Sequence, residues 1–223
     1  MEQKNKKKIL FIAHHFPPMG GPGVYRATRF AQHLTEMGYD LHVLTVALSD
    51  ISEGACPVDV SMERSLPAGL KITRVPIHYK PRLRDKLIRL HLMRLAWMLF
   101  WFHWWEPPAR WPRHCLQPAL EIIDREGIEL VWTSSGPFVA TLLGHRLKRR
   151  RGVKWVADLR DPFTESYFWV WPSKWHWFFS RWMEKRIWGK ADKLVVTCPA
   201  LKEEYVRRGI ATEDKIAVIT NGY

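Results

Sequence analysis

Seven short apolar runs punctuate the chain: Ile9 to Ala13, Leu41 to Val46, Leu70 to Val75, Leu130 to Thr133, Trp155 to Ala157, Leu194 to Thr197 and Ile216 to Ile219. Most are unbroken stretches of Val, Ile and Leu rather than alternations of apolar and polar positions. That is the pattern of strands covered on both faces. Amphipathic segments lie between several of them. From Val24 to Met37, residues Val24, Ala27, Ala31 and Leu34 recur at helical spacing, and Gly38 supplies the stop. Alternating strands and helices predict an α/β fold built on a single doubly wound, mainly parallel sheet. No internal repeat, low-complexity tract or linker interrupts it.

In such a sheet, ligands bind in the crevice outside the carboxyl ends of the strands, so the polar residues that follow each run carry the candidate chemistry. After the fifth run comes Asp158-Leu159-Arg160-Asp161-Pro162-Phe163, two carboxylates and a guanidinium, with Pro162 holding Asp161 out of helical geometry. Two readings are open: a ligand-binding loop, or an ordinary loop in which Asp158 and Arg160 pair with each other. The first run empties into His14-His15-Phe16-Pro17-Pro18-Met19-Gly20-Gly21-Pro22-Gly23, a glycine-rich loop that opens a helix. Such a loop brings backbone close to a ligand, and a helix N-terminus suits a phosphate, with Arg26 one turn further on. A tight turn that needs glycine for steric reasons is the alternative. His14 and His15 read as polar loop residues. The spacing is not that of a dinucleotide-binding loop, and no acidic residue closes the second strand to hold a ribose. The fourth run leads to Ser134-Ser135-Gly136-Pro137, where either serine would cap the following helix or help to bind a ligand. Three polar loops therefore converge on one sheet edge.

Composition narrows the partners. The 223 residues carry a net charge of +13, which calls for an anionic partner, and 13 tryptophans discriminate among such partners. From Lys80 to Cys115, basic residues including Arg84, Arg89 and Arg94 precede an aromatic run that contains Trp101, Trp104 and Trp105. A second cluster runs from Tyr167 to Phe179, with Lys174, Arg181 and Lys185 nearby. Basic side chains beside clustered Trp are what segments lying at an anionic membrane surface use. For Leu95 to Trp101, burial against the sheet accounts for about half the residues, since helices apolar all round are usually internal. Stacking on single-stranded nucleic acid ranks lower, because no nucleic-acid motif is present. Arg146 to Arg151 ends a helix, where cations favour the dipole. No apolar run reaches the length of a bilayer span, and the first is too short for a secretion signal. Cys56, Cys115 and Cys198 stand apart, fit a reducing compartment and show no metal-ligand spacing.

The ordered set Lys8-Ile9-Leu10-Phe11-Ile12, Pro17-Pro18-Met19-Gly20-Gly21-Pro22-Gly23, Arg26, Ser134-Ser135-Gly136-Pro137, Asp158 to Phe163, and Val218-Ile219-Thr220-Asn221-Gly222 resembles the N-terminal, acceptor-side domain of family 4 glycosyltransferases. The resemblance implies a Rossmann-like domain over residues 1–220, the N-terminal half of a GT-B fold. It also implies an interdomain hinge starting at residues 221–223, beyond which lies a donor-binding domain that this chain lacks, leaving it incomplete and inactive alone. It implies retaining, metal-independent transfer from a nucleotide-diphosphate sugar, and together with the basic, tryptophan-rich segments it points to a glycan or lipid-linked acceptor in cell-surface polysaccharide assembly, with the protein cytoplasmic and peripheral on the inner face of the membrane. Gly20, Gly21 and Arg26 match the loop and helix that approach the donor diphosphate and acceptor. Ser134, Ser135, Asp158 and Arg160 would face the acceptor. Many relatives place a catalytic histidine after the fifth strand. Here Arg160-Asp161-Pro162 stands in its place, making Asp161 the candidate to orient or deprotonate an acceptor hydroxyl and Arg160 the candidate to hold a phosphate. The alternative is a non-catalytic or different Rossmann-type module that binds a nucleotide or phosphorylated ligand.

Overall fold

The computed structural model describes residues 7–50, 57–77, 86–87, 89–105, 111–166 and 170–221, and within the helix that ends at Trp105 it leaves the side chains from 100 onward undescribed. All seven apolar runs are strands: β1 (Lys8–Ala13), β2 (Asp40–Val46), β3 (Lys71–Val75), β4 (Leu130–Ser134), β5 (Lys154–Leu159), β6 (Lys193–Val196) and β7 (Ile216–Val218). They form one sheet in the order β3-β2-β1-β4-β5-β6-β7. Every pairing is parallel.

The unbroken apolar runs are explained by the two layers they serve. In β1, Ile9, Phe11 and Ala13 face a cluster built with Ala27, Ala31 and Leu34 of α1 (Pro22–Glu36). Leu10 and Ile12 point the other way, into the larger core. That core includes Trp111, Cys115 and Ala119 of α4 (Trp111–Glu126) and Ala140, Leu143 and Leu147 of α5 (Val139–Arg151). Alternate side chains of one strand thus meet different helices, so no position is left for a polar residue. The short α2 (Ser61–Arg64) precedes β3, and α3 (Met93–Trp105) precedes α4. After β5 comes α6 (Lys174–Trp188), and α7 (Pro199–Arg207) links β6 to β7.

One boundary matters for the site. β5 runs two residues past Ala157, where its apolar run ends, because Asp158 lies in register with Ser134 of β4 and Val195 of β6. The ladders on both sides carry a buried carboxylate on the sheet itself. Ser134 is in turn in register with Ala13 of β1. The ends of four adjacent strands are therefore level.

Candidate functional site

The strand order reverses between β1 and β4: connections from β1 proceed towards β2 and β3, and those from β4 towards β5, β6 and β7. The crevice that such a reversal opens is where doubly wound sheets bind ligands. The loops after β1, β4 and β5 meet there, as the sequence pattern indicates.

A buried ion pair lies at their junction. Arg26, on the second turn of α1, donates from Nε to both Asp158 oxygens at 3.0 and 3.1 Å and from Nη2 to Oδ1 at 2.7 Å. The Asp158 side chain is 0% exposed and that of Arg26 7%. Ser134 Oγ donates to the second carboxylate oxygen at 3.0 Å. Arg26 Nη1 reaches on to Asn221 Oδ1 at 3.1 Å and to the Thr220 carbonyl at 3.3 Å. One guanidinium thus ties α1 to the ends of β5 and β7. Asp158 pairs with Arg26, and Arg160 bonds elsewhere, so the loop is not the self-paired one. Asp158 is enclosed beneath the crevice rather than open to an acceptor.

The serines brace rather than cap. α5 begins at Val139 with Phe138 before it, and no side chain caps its first turn. Ser135 instead donates its backbone N–H to the Asp158 carbonyl at 2.8 Å and accepts the Arg160 N–H on Oγ at 3.0 Å. Both serine side chains are buried. They fix the course of the chain just after β5.

Arg160 lies at the same junction. Its Nη1 donates to the Gly23 carbonyl at the start of α1, and its Nη2 donates to Ser134 Oγ at 3.2 Å. Its backbone carbonyl accepts from Thr197 Oγ1 at 2.7 Å. Nε is buried and has no hydrogen-bond partner among the described residues. Burial pulls this guanidinium below its ordinary pKa, with Asp158 and Asp161 opposing and Arg26 reinforcing the fall. Asp161, the next residue, is exposed. Behind it, Thr164 Oγ1 donates to Glu184, which pairs with Arg208 in a fully enclosed bridge. The β5 loop is thus held from below by two buried ion pairs, with Asp161 at its open face.

The two glycines divide the roles expected of them. Gly20 N–H donates to the Pro57 carbonyl at 2.7 Å, and a Cβ there would stand 3.0 Å from that oxygen. Its smallness therefore serves chain packing. Gly21 precedes α1 at φ 96°, a conformation that favours glycine, and a Cβ on it would meet nothing within 4 Å. Gly21 is the one whose backbone faces open space.

His14 is not an exposed loop residue. It is 6% exposed, packs edge-on against Trp111 and His15, and neither ring nitrogen has a partner among the described residues. Burial and the neighbouring His15 pull it down to about 3, while burial and Arg160 pull His15 to about 4. Both rings are neutral in the folded protein, whereas the unfolded chain takes up protons near 6.5. Their contribution is complete above pH 6.5 and is lost as pH falls towards the folded values, by about 1.4 kcal/mol per pH unit for each ring. Urea unfolding between pH 7.5 and 4.5 is expected to show this loss, and His14→Phe is expected to flatten it. An identical slope in the variant would assign the loss to other groups.

Of the membrane-surface candidates, Arg89 is exposed. Arg84 lies outside the described residues, and Trp101, Trp104 and Trp105 sit on α3 with side chains outside them. The same holds for Tyr167, Phe168 and Trp169 of the second cluster. No helix among the described residues is long and apolar enough to cross a membrane.

A parallel sheet with its crevice at the strand-order reversal defines a Rossmann-like α/β domain of the kind found in GT-B proteins. The chain belongs to the family of glycosyl transferase 4-like domains, whose model matches residues 20–222. Among solved structures, a glycosyltransferase from Rickettsia africae is similar, with a TM-score of 0.52 at 16% identity over 98% of this chain and 44% of its own. The UDP-GlcNAc 2-epimerase of Methanocaldococcus jannaschii has a TM-score of 0.54 at 14% identity, over 96% and 45%. This chain therefore spans less than half the length of either, and at these identities the likeness is one of fold. No curated protein matches the chain by sequence.

Proposed function

We propose that this chain is the acceptor-side domain of a retaining, nucleotide-sugar-dependent glycosyltransferase that serves a lipid-linked or otherwise membrane-associated acceptor, on the cytoplasmic face of the membrane, in cell-surface polysaccharide assembly. The observation that carries the reading is the meeting of the β1, β4 and β5 loops at the strand-order reversal around the Arg26–Asp158 pair, in a chain of this family. Asp161 is the open carboxylate that orients or deprotonates the acceptor hydroxyl. Arg160 and the Gly21 backbone lie where the leaving phosphate gathers charge, and preorganised donors of this kind stabilise it. The donor nucleotide would be held by a second domain joined after Asn221. The acceptor class is supported by exposed apolar and basic side chains on α3 and exposed aromatic and basic side chains on α6.

The test is transfer of labelled sugar from a panel of nucleotide sugars into lipid extract, by the protein that joins this chain to a donor-binding domain. Label is expected in the lipid fraction with its anomeric configuration retained. Tight NAD binding with no transfer from any donor would favour a different Rossmann-type module instead.

A further inference from the structure

Helices α3 and α6 carry a surface that the strand-end site does not use. Apart from Arg94 and His103, α3 is apolar all round, a composition that belongs in a core. Among its described side chains, however, only Ala96 is fully buried, while Met98 is 51% exposed and Leu99 59%. On α6 the exposed aromatics form one stripe at helical spacing, with Trp175 83% exposed, Trp182 57%, and Phe178 and Phe179 between them. The opposite face of α6 turns Ser180, Glu184 and Trp188 inward. The two helices meet where His176 Nε2 lies 3.1 Å from the Met98 carbonyl oxygen, so their apolar faces belong to one region of the surface.

The charge around this region is mostly positive, although Asp85 and Glu106 border residues 86–105 in the sequence and Glu165 lies beside α6. Residues 86–105 include Lys86, Arg89 and Arg94 and no acidic residue. The only carboxylate on α6 is Glu184, buried and paired with Arg208. Lys174, Lys185 and Arg186 are exposed, and Arg186 lies over the Trp182 ring at 5.7 Å. Arg181 stacks on Trp177 at 5.0 Å and pairs with Glu165 at 2.7 Å. A second copy of a chain charged +13 would bring the same cations face to face. An anionic bilayer instead offers apolar tails to the Trp and Phe rings and phosphates to the surrounding cations.

We propose that the joined face of α3 and α6 docks on an anionic lipid bilayer, with the aromatic stripe of α6 at headgroup depth. This gives the membrane-associated acceptor a place in the fold, but it rests on exposure and charge and is tested without any donor sugar. The experiment is sedimentation with vesicles of phosphatidylglycerol mixed into phosphatidylcholine, and with phosphatidylcholine alone. The protein is expected to bind the anionic vesicles at low salt and to be released as salt rises. Trp175→Ala with Trp182→Ala, at unchanged melting temperature, is expected to weaken binding by about tenfold or more. Lys185→Glu with Arg186→Glu is expected to weaken it on anionic vesicles by about tenfold. Absence of binding to anionic vesicles would overturn the proposal, as would wild-type binding by both variants. Concentration-dependent dimers that the Trp175→Ala, Trp182→Ala variant abolishes would also overturn it, and would assign the face to a second copy.

Discussion

Asp158→Ala is expected to lower the unfolding free energy by about 3–5 kcal/mol and the melting temperature by ~10 °C. The loss comes less from the missing attraction than from what stays behind. Arg26 would keep its guanidinium in a site where its side chain is 7% exposed, with no carboxylate to balance it. Ser134 Oγ would lose its acceptor as well, and the grip of α1 on the end of β5 would go with them. Urea titration with an unchanged slope is the check, since a changed slope would signal altered compactness instead. The double variant Arg26→Met with Asp158→Ala is expected to recover most of the loss, because the buried charge is removed together with its partner. A loss below about 1 kcal/mol for Asp158→Ala would mean that the pair is as weak as an exposed one.

Arg160→Ala is expected to slow sugar transfer by about 10²–10³-fold, the usual effect of removing one preorganised donor from a developing negative charge. The side chain is set for such a role. Gly23 and Ser134 hold its two terminal nitrogens, Ser135 and Thr197 hold its backbone, and its Nε has no hydrogen-bond partner among the described residues. Arg160→Lys is expected not to restore the rate, because an ammonium reproduces neither the planar fork nor its several directed donors. The stability cost should be smaller than for Asp158, since Arg160 is only partly enclosed and leaves no unpaired buried charge behind.

The sheet was legible because its strands are covered on both faces and so appear as unbroken apolar runs, each recovered to within one or two residues. Convergence of the polar loops followed from the topology that those runs imply. The wiring among them was not legible. Arg26 and Asp158 are 132 residues apart, and nothing local distinguishes Arg26 from Arg160 as the partner of Asp158. Ser134 and Ser135 stand before a helix, as capping residues do, but α5 starts four residues beyond Ser135 and their hydroxyls are spent on the β5 loop. His14 follows the first run among residues typical of loops, and its packing against Trp111, which arrives from α4, is not visible locally. The described part of α3 exposes more apolar surface than a helix of its composition usually does. From sequence, about half of Leu95 to Trp101 reads as buried against the sheet; among the described side chains Ala96 is buried, Trp97 half-buried, and Leu95, Met98 and Leu99 exposed.

Whether the strand ends around Asp158 serve as the reacting wall of a glycosyl-transfer site, as proposed above, can be read from the transfer rate of Arg160→Ala. With donor and acceptor saturating and the melting temperature as a control for folding, the rate should fall at least about a hundredfold below wild type. A folded Arg160→Ala enzyme that transfers sugar at the wild-type rate would leave Arg160 a structural residue and the strand ends around Asp158 without a part in transfer.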